Sequence, residues 1–158
     1  MSEPNANAAA ARFRTAGPGD LETLLPLVRE FWVIERLAFV EPAVRRALSG
    51  ILASPAFGRV VAIELESQPI GYYVLTLGYS LEHGGRDAFV DELYLRDAWR
   101  SRGIGARALA HAAELCEQLG VGALHLEVDH VNPRARALYE RNGFAAHGRA
   151  LMTRRLRR

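Results

Sequence analysis

The stretch Arg100-Ser101-Arg102-Gly103-Ile104-Gly105-Ala106 joins a β-like run, Phe89 to Leu95, to a helical run, Gly103 to Leu119. In the helical run Ile104, Ala108, Leu109, Ala112, Leu115, Cys116 and Leu119 recur on one face, so the strand feeds directly into an amphipathic helix. Gly103 and Gly105 allow the backbone to approach a ligand closely. The unpaired N–H groups and the dipole of the first helical turn favour a phosphate there. Residues 96–107 hold four arginines and one aspartate, a local excess of positive charge that suits a pyrophosphate.

Outward from this junction the chain reads as one mixed α/β domain. Arg12-Phe13-Arg14 is a short strand, and Asp20 is placed to cap a helix carrying Leu21, Leu24, Leu25, Val28, Phe31 and Trp32. Pro26 suggests a kink or a late start in that helix. A second helix is expected from Pro42 to Leu52, then strands over Val60–Leu65, Ile70–Leu77 and Phe89–Leu95. Beyond the long helix, Ala123–Asp129 alternates as a strand, and Asn132-Pro133 opens a helix that runs to Arg141 and stops at Asn142-Gly143. Phe144–His147 and Leu151–Leu156 read as two closing strands. The expected order is β-αα-βββ-α-β-α-ββ, with residues 1–11 a disordered tail and residues 12–158 a single domain.

Composition removes several classes. The 158 residues are 49% hydrophobic and 24% charged, the profile of a globular domain. All 20 basic residues are arginine. Five lie in residues 149–158, so the body carries 15 arginines against 18 acids and is slightly acidic, a poor match to a nucleic-acid-binding face. No run approaches 18 apolar residues, so no membrane span is expected. The single cysteine and the absence of Cys/His spacing point to a cytoplasmic protein without a metal. Gly103-x-Gly105-x-x-Ala108 also satisfies the dinucleotide fingerprint. However, five residues separate strand from glycine and three antiparallel-looking strands come first, which disfavours that reading.

Three motifs carry a resemblance over nearly the whole chain. Arg100-x-x-Gly103-x-Gly105 matches an R/Q-x-x-G-x-G/A loop. Asn132-x-x-Ala135-x-x-Leu138-Tyr139 matches N-x-x-A-x-x-L-Y, and Tyr139-x-x-x-Gly143-Phe144 completes it. With these at normal spacing, the sequence resembles the GNAT superfamily of N-acetyltransferases. The stretch from Gly78 to Tyr94 looks most like the branch that includes polyamine and diamine acetyltransferases.

The resemblance implies acetyl-CoA as acyl donor and a splay between the strand Phe89–Leu95 and its neighbour. Backbone groups of Leu93, Tyr94 and Leu95 would hold the pantetheine arm. Arg100, Ser101, Arg102, Gly103, Ile104, Gly105 and Ala106 would hold the pyrophosphate, with Asn132 and Ala135 on the next helix completing the cofactor contacts. Tyr139 would protonate the departing thiolate. A carboxylate must deprotonate the amine: Glu92 is favoured and Asp91 stands close behind, since adjacent strand residues face opposite ways. The implied acceptor is a small cationic amine, drawn to the seven acids of residues 20–66 and the four of residues 82–92. A protein or peptide amine is the alternative, and a non-catalytic acyl-CoA-binding module a third reading. Members of the superfamily often dimerise, so a homodimer is expected. Cys116 and Trp99 read as core packing, Trp32 as packing with a possible place in the acceptor pocket, and the five histidines as structural or exposed.

Overall fold

The computed structural model describes residues 10–156. They divide into two compact units, one ending at Glu127 and one beginning at Val128.

The first unit is built on a five-stranded sheet in the order β1-β2-β3-β4-β5. The strands are β1 (Arg12–Thr15), β2 (Gly58–Leu65), β3 (Gln68–Ser80), β4 (Gly85–Leu95) and β5 (Ala123–Leu126). The first four pair antiparallel in sequence order, and β5 joins β4 in parallel. Helices α1 (Leu21–Ile34) and α2 (Glu41–Ala53) bury Leu24, Leu25, Leu27, Val28, Val44, Leu48 and Leu52 against Val60, Ala62, Tyr72, Val74 and Tyr94 of the sheet. Helix α3 (Ile104–Gln118) buries Ile104, Ala108, Ala112 and Cys116 on the other face, against Val61, Ile63, Tyr73, Leu75, Ala88 and Val90. The apolar stripe expected for α3 is therefore the one that packs.

Several details differ from the sequence expectation. Helix α1 runs unbroken through Pro26, led in by a 3-10 turn at Pro18–Asp20. The Asp20 side chain does not cap α1. Its Oδ2 accepts from the Gly17 N–H at 2.8 Å, and Arg14 ion-pairs with Oδ1 at 2.8 Å. A nearby arginine thus wins the carboxylate from the helix terminus. Ala11, placed in the tail by sequence, is buried in the α3-side core, while Ala10 is exposed; residues 1–9 of the tail expectation lie outside the described residues.

The second unit contains α4 (Pro133–Arg141). Asn132 Oδ1 accepts from the Ala135 N–H at 3.0 Å and caps it. At the other end Phe144 N–H donates to Tyr139 O at 3.1 Å and Gly143 N–H to Glu140 O at 3.1 Å, with Gly143 at φ 89°. This is a Schellman termination, and the Tyr139 and Phe144 rings meet edge to face at 6.1 Å as its usual apolar clasp. The two closing strands are not formed: residues 144–156 carry no strand. Leu151, Met152 and Leu156 are all exposed, so alternation there is not repaid by burial, and a segment without a pairing partner does not order as a strand.

Candidate active site

The site begins at an irregularity in β4. Val74 pairs with Glu92 and Leu75 with Val90, which leaves Asp91 as a bulge. The bulge changes the parity of the strand. Val90 joins the α3-side core, whereas Glu92 turns to the α1/α2 side, where Tyr94 also packs. Period-two counting could not choose between Asp91 and Glu92 because this strand does not keep period two.

On the α1/α2 side both oxygens of Glu92 are occupied. Trp32 Nε1 donates to Oε1 at 2.7 Å, and the Tyr72 hydroxyl donates to Oε2 at 2.5 Å. Burial pushes the Glu92 carboxyl above its ordinary value; the two donors oppose that push and the Asp91 charge adds to it. Asp91 is solvent-exposed, yet surrounding protein still raises its carboxyl through desolvation. Among the described residues neither acid forms an ion pair. Several other acids of this unit do. Glu30 accepts from Tyr94 at 2.9 Å and ion-pairs with Arg96 at 2.8 Å, and Arg96 first, then Tyr94, holds its carboxyl below the usual range. Glu22 and Glu41 are paired with Arg45 and Arg29, and Asp20 and Glu64 with Arg14.

The pairing of β4 with β5 spans only Asp87–Val90 against Ala123–Leu126. Among the described residues, Glu92 to Leu95 of β4 pair on the β3 side alone, and Asp91 is the unpaired bulge. The backbone of Leu93, Tyr94 and Leu95 therefore has no strand partner on the β5 side. Asp91 and Glu92 stand where that pairing stops.

The glycine loop follows a 3-10 turn at Asp97–Trp99. Ser101 and Gly103 adopt left-handed backbone, at φ 61° and 83°. Gly103 caps α3 without any side-chain bond, which leaves the N–H groups of the first turn open to an anion. Fully buried Ile104 anchors that turn in the core. The arginine cluster is less available than its count suggests. Arg96 is held by Glu30, and Arg107 by the Ala11 carbonyl at 3.1 Å and the Phe13 ring. Arg100 Nε donates to the Leu95 carbonyl at 2.7 Å while the same guanidinium pairs with Asp97 at 2.6 Å, so it ties the loop to the end of β4. Arg102 lies over the Trp99 ring at 5.0 Å, and among the described residues it has no ion pair. Of the four arginines here it is the one that no acid or backbone carbonyl holds among the described residues.

The chain matches the Acetyltransferase (GNAT) family over residues 23–144. It belongs to that family. Its members use acetyl-CoA as acyl donor. This GNAT protein is 30% identical to a thialysine N-epsilon-acetyltransferase of Bos taurus over 140 residues, covering 82% of this chain and 81% of that protein. An integron cassette protein from a salt-marsh metagenome superposes with TM-score 0.83 at 36% identity, covering 96% and 93% of the two chains. An aminoglycoside acetyltransferase from a soil metagenome shares the fold, with TM-score 0.78 at 15% identity over 95% and 98%. The chain is thus an acetyl-CoA-dependent N-acetyltransferase acting on amines.

Sequence reasoning missed the partners of Glu92. Trp32 and Tyr72 lie 60 and 20 positions away, on different elements. The available signal was chemical: an indole N–H and a phenol O–H facing a core need acceptors. Within α4 of the GNAT motif, Asn132 uses its oxygen as the helix cap and Tyr139 contributes its ring to the helix stop.

Proposed function

We propose that this chain acetylates the primary amine of a small cationic acceptor, with residues 12–158 acting as one catalytic domain. The observation that carries the reading is the uncancelled charge at the β4 bulge. Asp91 and Glu92 have no arginine partner among the described residues, whereas Asp20, Glu22, Glu30, Glu41 and Glu64 of the same unit do. An entering ammonium gains attraction there that a neutral or anionic acceptor does not. The relative named a thialysine N-epsilon-acetyltransferase supports an amine at the end of a short chain.

The chemistry follows from the groups present. An alkylammonium has a pKa of about 10 and must lose a proton before it attacks. Glu92 takes that proton, directly or through one water, with Asp91 adding to the negative field. Backbone N–H groups on the open stretch of β4 polarise the thioester carbonyl. As the C–N bond forms and the C–S bond breaks, Tyr139 supplies the proton that the sulfur needs; its role rests on the sequence motif. The backbone of Leu93–Leu95 and the loop Arg100–Ala106 hold the arm and the pyrophosphate, with Asn132 and Ala135 completing the contacts. A cytoplasmic homodimer belongs to the same proposal.

A screen of amines with acetyl-CoA, read by thiol release, tests the reading. Diamines, polyamines and thialysine are expected to be turned over. Activity confined to neutral or anionic amines, or to peptides, overturns the acceptor class. Sedimentation of the purified protein tests the dimer.

A further inference from the structure

We propose that Trp32 and Tyr72 are positioning residues for this reaction, the indole N–H and the phenol O–H clamping the Glu92 carboxylate in one orientation where the β4–β5 pairing stops. The inference rests on the reading of Glu92 as base and extends it to residues that no motif marks.

The clamp draws on three elements. Trp32 sits on α1, Tyr72 on β3 and Glu92 on β4, so the carboxylate is held from the helix and from the neighbouring strand at once. Neither donor is free to wander. Tyr72 is fully buried, and the Trp32 indole is braced edge to face by Phe39 at 5.9 Å. Each Glu92 oxygen accepts one bond, which leaves each a lone-pair direction for water or an amine proton.

Glu30 provides the contrast within the same molecule. It also accepts from a tyrosine hydroxyl on the sheet, but its second partner is Arg96, which cancels its charge and weakens it as a base. In Glu92 the corresponding partner is a neutral indole. The donor fixes direction without cancelling charge, and a buried carboxylate so held keeps its basicity. The other titratable and charged groups on these elements are Asp91 and Tyr94 on β4, Glu30 paired with Arg96, Glu22, Arg29, Glu35 and Arg36 on or just past α1, and Glu41, Arg45 and Arg46 on α2. Among the described residues, none of these arginines pairs with Glu92.

Trp32→Phe and Tyr72→Phe each remove one donor and keep the ring. In the ligand-free protein the Glu92 carboxyl carbon, assigned with Glu92→Gln, is titrated by NMR. Loss of a bond to a charged carboxylate destabilises the anion, so each variant is expected to raise the midpoint by about one pH unit, and the double variant by more. The acid limb of kcat/KM moves up in parallel, with KM for acetyl-CoA unchanged. An unmoved midpoint in folded variants overturns the clamp. Should Tyr72→Phe fail to fold, Trp32→Phe, at the edge of the core, decides the matter alone. Full activity in Glu92→Gln sinks the base assignment instead, and the NMR midpoints separate that failure from failure of the clamp.

Discussion

Val90 and Glu92 stand two positions apart on one strand yet face opposite sides of the sheet, because Asp91 bulges between them. A regular strand would have placed both on one face. The bulge therefore delivers a carboxylate to the α1/α2 side at the level where β4 parts from β5.

This relation predicts unequal roles for the adjacent acids. Glu92→Gln is expected to lower kcat/KM by about 10²–10⁴. Asp91→Asn, which removes only a neighbouring charge, is expected to cost less than about tenfold. Deleting Asp91 makes Val90 and Glu92 adjacent opposite Leu75 and Val74, so Glu92 is expected to keep its face and the loss to stay well below that of Glu92→Gln. Steady-state kinetics on the three variants check the ordering.

Burial raises the Glu92 carboxyl, and the reaction needs its charged form. Activity is therefore expected to fall as pH drops through a midpoint above the ordinary glutamate value of about 4.3. A kcat/KM profile from pH 4 to 9 measures it, and in Glu92→Gln that limb is expected to vanish from the residual activity.

Gly103 holds φ 83° where α3 begins, a backbone region that costs a residue with a Cβ about 1–2 kcal/mol. Gly103→Ala is expected to shift the first-turn N–H groups and to raise KM for acetyl-CoA about tenfold, with a smaller change in kcat. Calorimetric titration with CoA provides the independent check.

Tyr139→Phe removes a hydroxyl but keeps the ring that clasps Phe144 at the end of α4. Thermal melting is expected to stay within a few degrees of the parent. Turnover is expected to fall about 10²-fold through loss of the acid. A variant with full turnover would assign the proton to another donor.

Arg14, then the Gly17 N–H, holds the Asp20 carboxyl below its ordinary range. The stability this provides is complete above about pH 4, the unfolded value, and is lost as pH falls through the lower folded value. Asp20→Asn is expected to cost about 1 kcal/mol at neutral pH. Urea melts of the two proteins should converge in acid.

Much of this fold was legible because its signals are local. The α3 stripe, the Asn132 cap and the Gly143-Phe144 stop each depend on residues within a few positions of one another. The opening expected beside β4 came from motif resemblance, and in the structure the β4–β5 pairing stops at Val90 and Leu126. What stayed hidden depends on distant partners. The Asp91 bulge is a register property of two strands, and the Trp32–Glu92 bond links residues 60 positions apart. Arginines counted as a phosphate-facing cluster were largely claimed by Glu30, Asp97 and three backbone carbonyls, which charge counting cannot foresee. The closing strands failed for the complementary reason: alternation was present in residues 151–156, but burial was not.

The interrupted pairing also bears on how such a sheet avoids sticking to other chains. An open strand edge invites any extended polypeptide to add to it. Here the open run from Asp91 to Leu95 is bounded by the β5 ladder on one side and by the 3-10 turn at Asp97 on the other. It is about one short strand long and closed at both ends, so a foreign chain could add there only as a segment that cannot continue in either direction. Under the proposed function that stretch is left to a slender thioester arm. An edge interrupted in this way offers other chains far less to add to than a continuous one.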